Sequence, residues 1–403
     1  WSTIEKSSKF DGSRSNQMKI DKHQFFTLKT PRVVIVAFLL VGLMGCSMWG
    51  GAASKPTPAE LGVNTSVLGV RQVWMAQLGS RDAVQLTPHV SGTTITVAST
   101  EGVVAAIDAR TGGDVWRLNL RETLSAGVGS DGRWTAVVSQ GNELIVLEAG
   151  IEQWRQRLTT QVYTSPLVAG NRIFVLAADR SFMAFDASSG YRLWIQSRLG
   201  EPLVLRQPGV LLAVGGNLLA GISGRLARFN PDNGAMSWEV PLADPRGTND
   251  VERLVELVGP VSRVAESVCA RAFQAAIGCV DTARAVVKWT QVSNGIVGLD
   301  GDEVALYGVK SNGTVTAWGR NHGTLLWSSE LLQYRSLTAP LLLGRSVIVG
   351  DESGLVHFLS REDGASLGRV ATDESGVAVA PVVAADTLIV ITRKGNVYGF
   401  SPD

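Results

Sequence analysis

Few residues in this chain of 403 carry chemistry at a useful spacing. After the first 45 residues, histidine occurs only at His89, His322 and His357, and no two are close enough for a metal-binding pair. His357, inside Gly354-Leu-Val-His-Phe-Leu359, reads as a strand residue. Gly127-x-Gly129-x-x-Gly132 has the spacing of a dinucleotide loop, but such a loop must open a helix whose N-terminus holds the pyrophosphate. Arg133-Trp-Thr-Ala-Val-Val-Ser139 follows it and alternates like a strand, so the glycines are assigned to a turn. No P-loop pattern occurs. Cys269 and Cys279 flank the hairpin Val268 to Val280. A three-residue turn over Phe273 to Ala275 pairs residue 272 with 276, and so Cys269 with Cys279, whereas a two-residue turn puts the thiols on opposite faces. The formal net charge is +1 with 18% charged residues, so no nucleic-acid-binding face is implied. Neither a catalytic residue nor a metal or cofactor site is assigned.

The third cysteine sits in a different context. Position 1 is Trp, and translation is expected to start at Met18. Lys19, Lys22, Lys29 and Arg32 then lead into the apolar run Val33 to Met44. A membrane span needs about twenty apolar residues, so this shorter run suits a signal-peptide core. It ends in Leu43-Met44-Gly45-Cys46-Ser47, which resembles the lipobox of bacterial lipoproteins, where the Cys is lipidated and becomes the new N-terminus. With Ser47 rather than Asp after it, the resemblance implies an outer-membrane anchor and a body facing the periplasm, attached to the membrane by lipid alone. The expected organisation is a leader at 1–45, a lipidated Cys46 with a flexible tether to residue 70, and a folded body at 71–403. Gly50, Gly51, Pro56 and Pro58 suit the tether. In an oxidising compartment a Cys269–Cys279 disulfide is expected.

What positions anything in the body is a repeat. Asp186-Ala-Ser-Ser-Gly-Tyr-Arg-Leu-Trp194 has copies at Asp108 to Trp116, Asn230 to Trp238 and Asp281 to Trp289, with weaker ones at Glu148 to Trp154 and Gly319 to Trp327. With Trp74 these tryptophans form a series, and Gly368 stands in the eighth place. The interval of roughly 40 residues fits four short strands, the period of a propeller blade. Pro88, Pro166, Pro208, Pro260, Pro340 and Pro381 each lead an apolar run, as suits a residue without an N–H at the start of a strand. Strand starts and Trp strands match in number only if the Trp74 strand joins the blade of Pro381 to Phe400. The fold class is therefore all-β, an eight-bladed propeller closed by its two chain ends. The tryptophans are assigned to packing.

The lipobox, the Pro-led strands, the Asp-x-x-x-Gly-x-x-x-Trp turns and the closing Gly395-Asn-Val-Tyr-Gly-Phe400 together resemble the BamB family of lipoproteins of the β-barrel assembly machinery. The resemblance covers Cys46 to Asp403. It implies a non-enzymatic scaffold without cofactor that assists the folding and insertion of outer-membrane proteins. The implied partners are the periplasmic domains of BamA, through it the other machinery lipoproteins, and unfolded outer-membrane protein substrates. The family's contact pattern Leu-x-Leu-Arg falls on Leu203, Leu205 and Arg206. Its Arg-Leu-x-acid pattern falls on Arg253, Leu254 and Glu256, and its second acidic position is Val258 here. Both stretches link a Trp strand to the next blade, which puts them on one rim. Pyrroloquinoline quinone dehydrogenases share the blade motif and form the alternative, as does a propeller scaffold of another envelope complex.

A lipid-bearing N-terminus requires the Cys46 thiol. Cys46→Ala is expected to abolish incorporation of labelled palmitate and to release a folded body into the periplasmic soluble fraction; continued labelling would remove the lipobox assignment.

Overall fold

The computed structural model describes residues 56–64, 66–79, 86–198, 203–245, 248–250 and 253–403. The leader and Cys46 lie outside these. The described residues form eight four-stranded antiparallel sheets. Blades 1 to 7 span residues 89–119, 124–157, 167–196, 211–241, 257–292, 299–329 and 341–371, each with its strands in chain order from the inside outward. Blade 8 takes three strands from residues 382–402 and its outermost strand, β1 (Val70–Gln77), from the other end of the chain. β1 runs antiparallel to the last strand, with Val70 opposite Pro402, Trp74 opposite Gly399 and Gln77 opposite Asn396.

Burial follows each strand's place in its blade. The second and third strands lie between two neighbouring sheets and are mostly apolar and buried, as in Trp134–Ser139, which is buried at every position. The fourth strand faces solvent, so Ile151–Arg157 is exposed except at Trp154. That one inward residue is the Trp of the repeat. Its indole lies flat against the glycine of the next blade's outer turn: Trp74 on Gly112, Trp116 on Gly150, Trp154 on Gly190, Trp194 on Gly234, Trp289 on Gly323 and Trp327 on Gly364. These glycines have φ between +68° and +79°, and a Cβ on any of them would come within 2.4–3.0 Å of the indole. The turn thus needs glycine twice over, for its left-handed backbone and for room. Five of the indoles also donate Nε1–H to a carbonyl of the same turn, at Ala109, Ala187, Pro231, Arg320 and Arg361, over 2.7–2.9 Å. The fifth blade departs from this. Ala285 replaces the glycine there, with φ +57°, and the Nε1 of Trp238, in the same apolar cluster, has no acceptor.

The eighth place has no Trp because there is no turn to receive one. The outer turn of blade 8 is where the chain ends meet, with the N–H of Asp403 donating to Gly69. Residues of the expected tether fill the space instead. The Val67 N–H donates to the Leu367 carbonyl, and Asn64 makes two bonds to the backbone of Arg369. Ala59 N–H reaches Gln333, and the Arg369 guanidinium donates to Gly62. Leu61 and Leu68 pack on the body. Gly368 itself lies under Ser66, whose Cα would be 3.2 Å from an added Cβ. The assignment of the whole stretch up to residue 70 as flexible tether is corrected: residues 59–64 and 66–69 form a strap along the outer edge of blade 7.

Two further points concern the repeat. Pro88, Pro166, Pro340 and Pro381 directly precede the first strand of their blades, but Pro260 lies inside Leu257–Val264, where the register shifts between Val258 and Ser262. A bulge tolerates the missing N–H as a strand start does. In the hairpin of the same blade Ala272 is opposite Ala276 and Cys269 opposite Cys279, and the two cysteines are joined in a disulfide. Pro208, Pro260, Pro340 and Pro381 surround the axis, where a cavity of about 450 Å³ is also lined by Thr338, Asp300 and Arg393.

The Trp-on-glycine contact sets a graded expectation. Gly323→Ala meets both the strained backbone and the Trp289 ring and should lower stability by about 2–4 kcal/mol. Gly344→Ala, at φ +56° with no atom within 4 Å of the added carbon, should lose only about 1 kcal/mol. Equal denaturant midpoints for the two variants would contradict the packing role.

Candidate partner-binding rim

Each blade sends two connections to the same rim: the hairpin between its second and third strands, and the link from its fourth strand to the next blade. The stretches around Leu203 and Glu256 are links of this second kind, leaving blades 3 and 4. They are brought together by a residue outside both patterns. Arg180, on the hairpin of blade 3, donates to Ser223 Oγ at 2.8 Å, to Glu256 Oε1 at 3.0 Å and to the Leu203 carbonyl at 3.4 Å. Its side chain is 8% exposed and that of Glu256 16%. One guanidinium therefore ties blades 3, 4 and 5 together beneath the rim. Burial pushes the Glu256 carboxyl above its usual range, and Arg180 offsets part of that rise.

Arg180 stands at φ +63°, where the corresponding hairpins of blades 1, 6, 7 and 8 have Gly102, Gly313, Gly354 and Gly395. A left-handed arginine costs about 1 kcal/mol relative to glycine. Aligning the hairpins of the repeats, rather than their Trp turns, would have marked this position.

The residues of the first pattern divide by exposure. Leu203 is 39% exposed. Leu205 is half-buried and, with Tyr163, Arg180, Gln207 and Glu256, lines a pocket of about 50 Å³. Arg206 is exposed, makes no ion pair among the described residues, and holds its guanidinium 5.8 Å from the centre of the Tyr163 ring. That contact fixes the cation in place while leaving its N–H donors open. In the second pattern Glu256 points inward to Arg180 and is not available as a surface acid. Arg253 and Leu254 are half-buried, and the Arg253 N–H closes a turn on the Asn249 carbonyl. Val258 is buried in the sheet. The rim at this point offers apolar surface and a cation, over an ion pair already satisfied from within.

If Arg180 neutralises Glu256, its loss should depend on pH. Breaking a buried pair by removing one partner costs about 3–5 kcal/mol, and Arg180→Met is expected to lose that much at pH 7.5. A carboxyl whose folded pKa is raised favours folding most below its unfolded value and loses that advantage as pH rises through the folded one. The deficit of Arg180→Met should therefore shrink as pH falls into the ordinary glutamate range. A deficit equal at pH 7.5 and 4.5 in denaturant titrations would show that Glu256 is not the group concerned.

Against known proteins, the family model described as outer membrane protein assembly factor BamB matches residues 100–329 and 311–403. The outer membrane protein assembly factor BamB of Burkholderia pseudomallei is 36% identical over 92% of this chain and 97% of its own length. Among solved structures, BamB from Moraxella catarrhalis superposes with a TM-score of 0.75 at 22% identity, covering 82% of this chain and 99% of that one. The quinohemoprotein alcohol dehydrogenase of Comamonas testosteroni superposes at 0.63 with 14% identity over 85% of this chain and 78% of its own, a likeness of fold alone.

Proposed function

The chain belongs to the BamB family of outer membrane protein assembly factors, and we propose that it serves the machinery as a non-enzymatic scaffold whose rim at Leu203 to Arg206 binds the periplasmic domains of BamA. The observation that carries the site is Arg206: an exposed cation without an ionic partner among the described residues, held on the Tyr163 ring beside the exposed Leu203. Preorganised cations next to apolar surface are the residues that dominate protein interfaces, because little side-chain entropy is lost on binding. Glu256 enters this reading in a supporting role, since its bond to Arg180 secures the backbone at Leu203.

In the same reading Cys46 carries the lipid and the body faces the periplasm from the outer membrane. Twelve residues, 47 to 58, separate Cys46 from Ala59, which limits the span between them to roughly 40 Å at full extension. The propeller is then confined to the membrane-proximal periplasm, where nascent outer-membrane proteins arrive. Through BamA the scaffold would meet the remaining machinery lipoproteins and their unfolded substrates.

Arg206→Glu, alone or with Leu203→Asp, is expected to stop BamA from co-purifying with the tagged protein from detergent-solubilised membranes, while the thermal midpoint stays within about 2 °C of the parent, as for a surface change. Normal co-purification by Arg206→Glu would remove the site. A parent that brings down no assembly component would remove the partner as well.

A further inference from the structure

The geometry points to a continuation of the partner surface onto blade 5, through the hairpin turn Phe273–Ala275 and the link Ser293–Ile296, suited to a protein segment that presents an apolar side chain beside a carboxylate. This deepens the reading of the Arg206 rim as the partner site and rests on it.

Backbone bonds make the three stretches one surface. The Phe273 N–H donates to the Glu256 carbonyl, Gln274 N–H to Gly295, and Ser293 N–H to Ala275. Gln207 Nε2, next to Arg206, reaches the Ile296 carbonyl at 3.4 Å. The chain of contacts therefore runs from Arg206 through Gln207 to Ile296, back along the hairpin turn, and to Glu256. This part of the rim exposes two large apolar side chains, Val292 at 87% and Ile296 at 37%, beside the polar Gln274, Gln291 and Asn294, with Phe273 half-buried. Neither the Leu-x-Leu-Arg nor the Arg-Leu-x-acid pattern reaches these residues.

The preference for a carboxylate comes from below. Arg271, the second residue before the turn, is fully buried and lies against Gly295 and Gly308, where no side chain leaves room for anything else. It donates from Nη1 to Ser293 Oγ at 2.9 Å, and its Nε and Nη2 have no partner. Its cross-strand neighbour is Val258, which supplies no carboxylate. Burial alone pulls its pKa down, to about 9, so the guanidinium stays protonated at neutral pH. Glu256, in the link that enters this blade, is spent on Arg180. A buried cation with unused donors is expensive and gains from any anion brought over it. Ser293, its acceptor among the described residues, is buried in the link beneath the exposed Asn294 and Ile296. With Arg206 at the border and Arg271 under the link, the apolar side chains of Val292 and Ile296 have a cation on two sides, and neither cation makes an ion pair among the described residues. An apolar residue flanked by Asp or Glu complements this surface in both respects.

The test measures binding of the full chain to the purified periplasmic domains of BamA. Ile296→Asp and Val292→Asp should each weaken binding about tenfold or more, as Arg206→Glu does, by placing like charge where a carboxylate is expected. Glu362→Lys, on the outer turn of blade 7 at the opposite rim, should bind as the parent does. Arg271→Met should weaken binding about threefold and flatten its salt dependence, with an unfolding midpoint equal to or above the parent, because an unpaired buried charge is removed. An Arg271→Met protein that is less stable yet binds normally would leave Arg271 a packing role and overturn the charge argument. If Arg206→Glu abolishes binding while both blade 5 variants stay within about twofold of the parent, the continuation is wrong and the Arg206 site stands. If none of the three changes binding, the two readings fall together, as they do if the parent does not bind.

Discussion

An indole lying on a glycine of the neighbouring blade is the contact on which this molecule depends. It joins six of the eight outer strands to the next sheet, where the two sheets otherwise diverge with distance from the axis. The wide ring fills the wedge, and its N–H satisfies a turn carbonyl that has no strand partner. Because the contact repeats around the ring at a constant spacing, it fixes the angle between blades and hence their number. Besides the Trp-less place at Gly368, the Trp238–Ala285 junction departs from it, with a left-handed alanine and an indole N–H without a partner among the described residues. It lies between blades 4 and 5, the junction that carries the second candidate stretch and the buried Arg180–Glu256 pair.

Closure depends on the same geometry. The ring is sealed by a strand taken from the start of the body, so one outer turn is replaced by two chain ends, and the Trp that would have packed on it has no counterpart. The N-terminal strap occupies that place, bonded to the outer edge of blade 7. The strap covers an edge that would otherwise present unpaired backbone groups, and it starts at the rim near Gln333, the rim that also carries the candidate partner surface.

On that rim the blades act as a rigid base for short links. The cations are used in two ways. Arg180 is buried, multiply bonded and structural, and it neutralises the acid that the family pattern assigned to contact. Arg206 and Arg271 make no ion pair among the described residues, one at the surface and one beneath it. A surface of this kind gains from a complementary acid without having to break an internal pair first, which favours both specificity and rate of association.

The architecture was legible in the amino-acid sequence because the blade contact is local in its requirements: a glycine in a turn, a Trp four residues later, and a proline ahead of an apolar run recur whatever the rest of the blade contains. The hairpin with Cys269 and Cys279 was legible for the same reason, since its register follows from the length of one turn. The candidate rim was legible only in part. Leu203, Leu205 and Arg206 could be placed on one side of the ring from strand order, but which side chains stay free depends on contacts between residues far apart in the chain. Arg180 and Glu256 meet across 76 positions, Arg271 loses its counter-ion through a valine on the next strand, and the strap pairs with a strand some 300 residues away. Nothing in a local pattern encodes such meetings. They were decided by the ring itself, which brings distant turns onto one rim and leaves burial to determine which charges are paired.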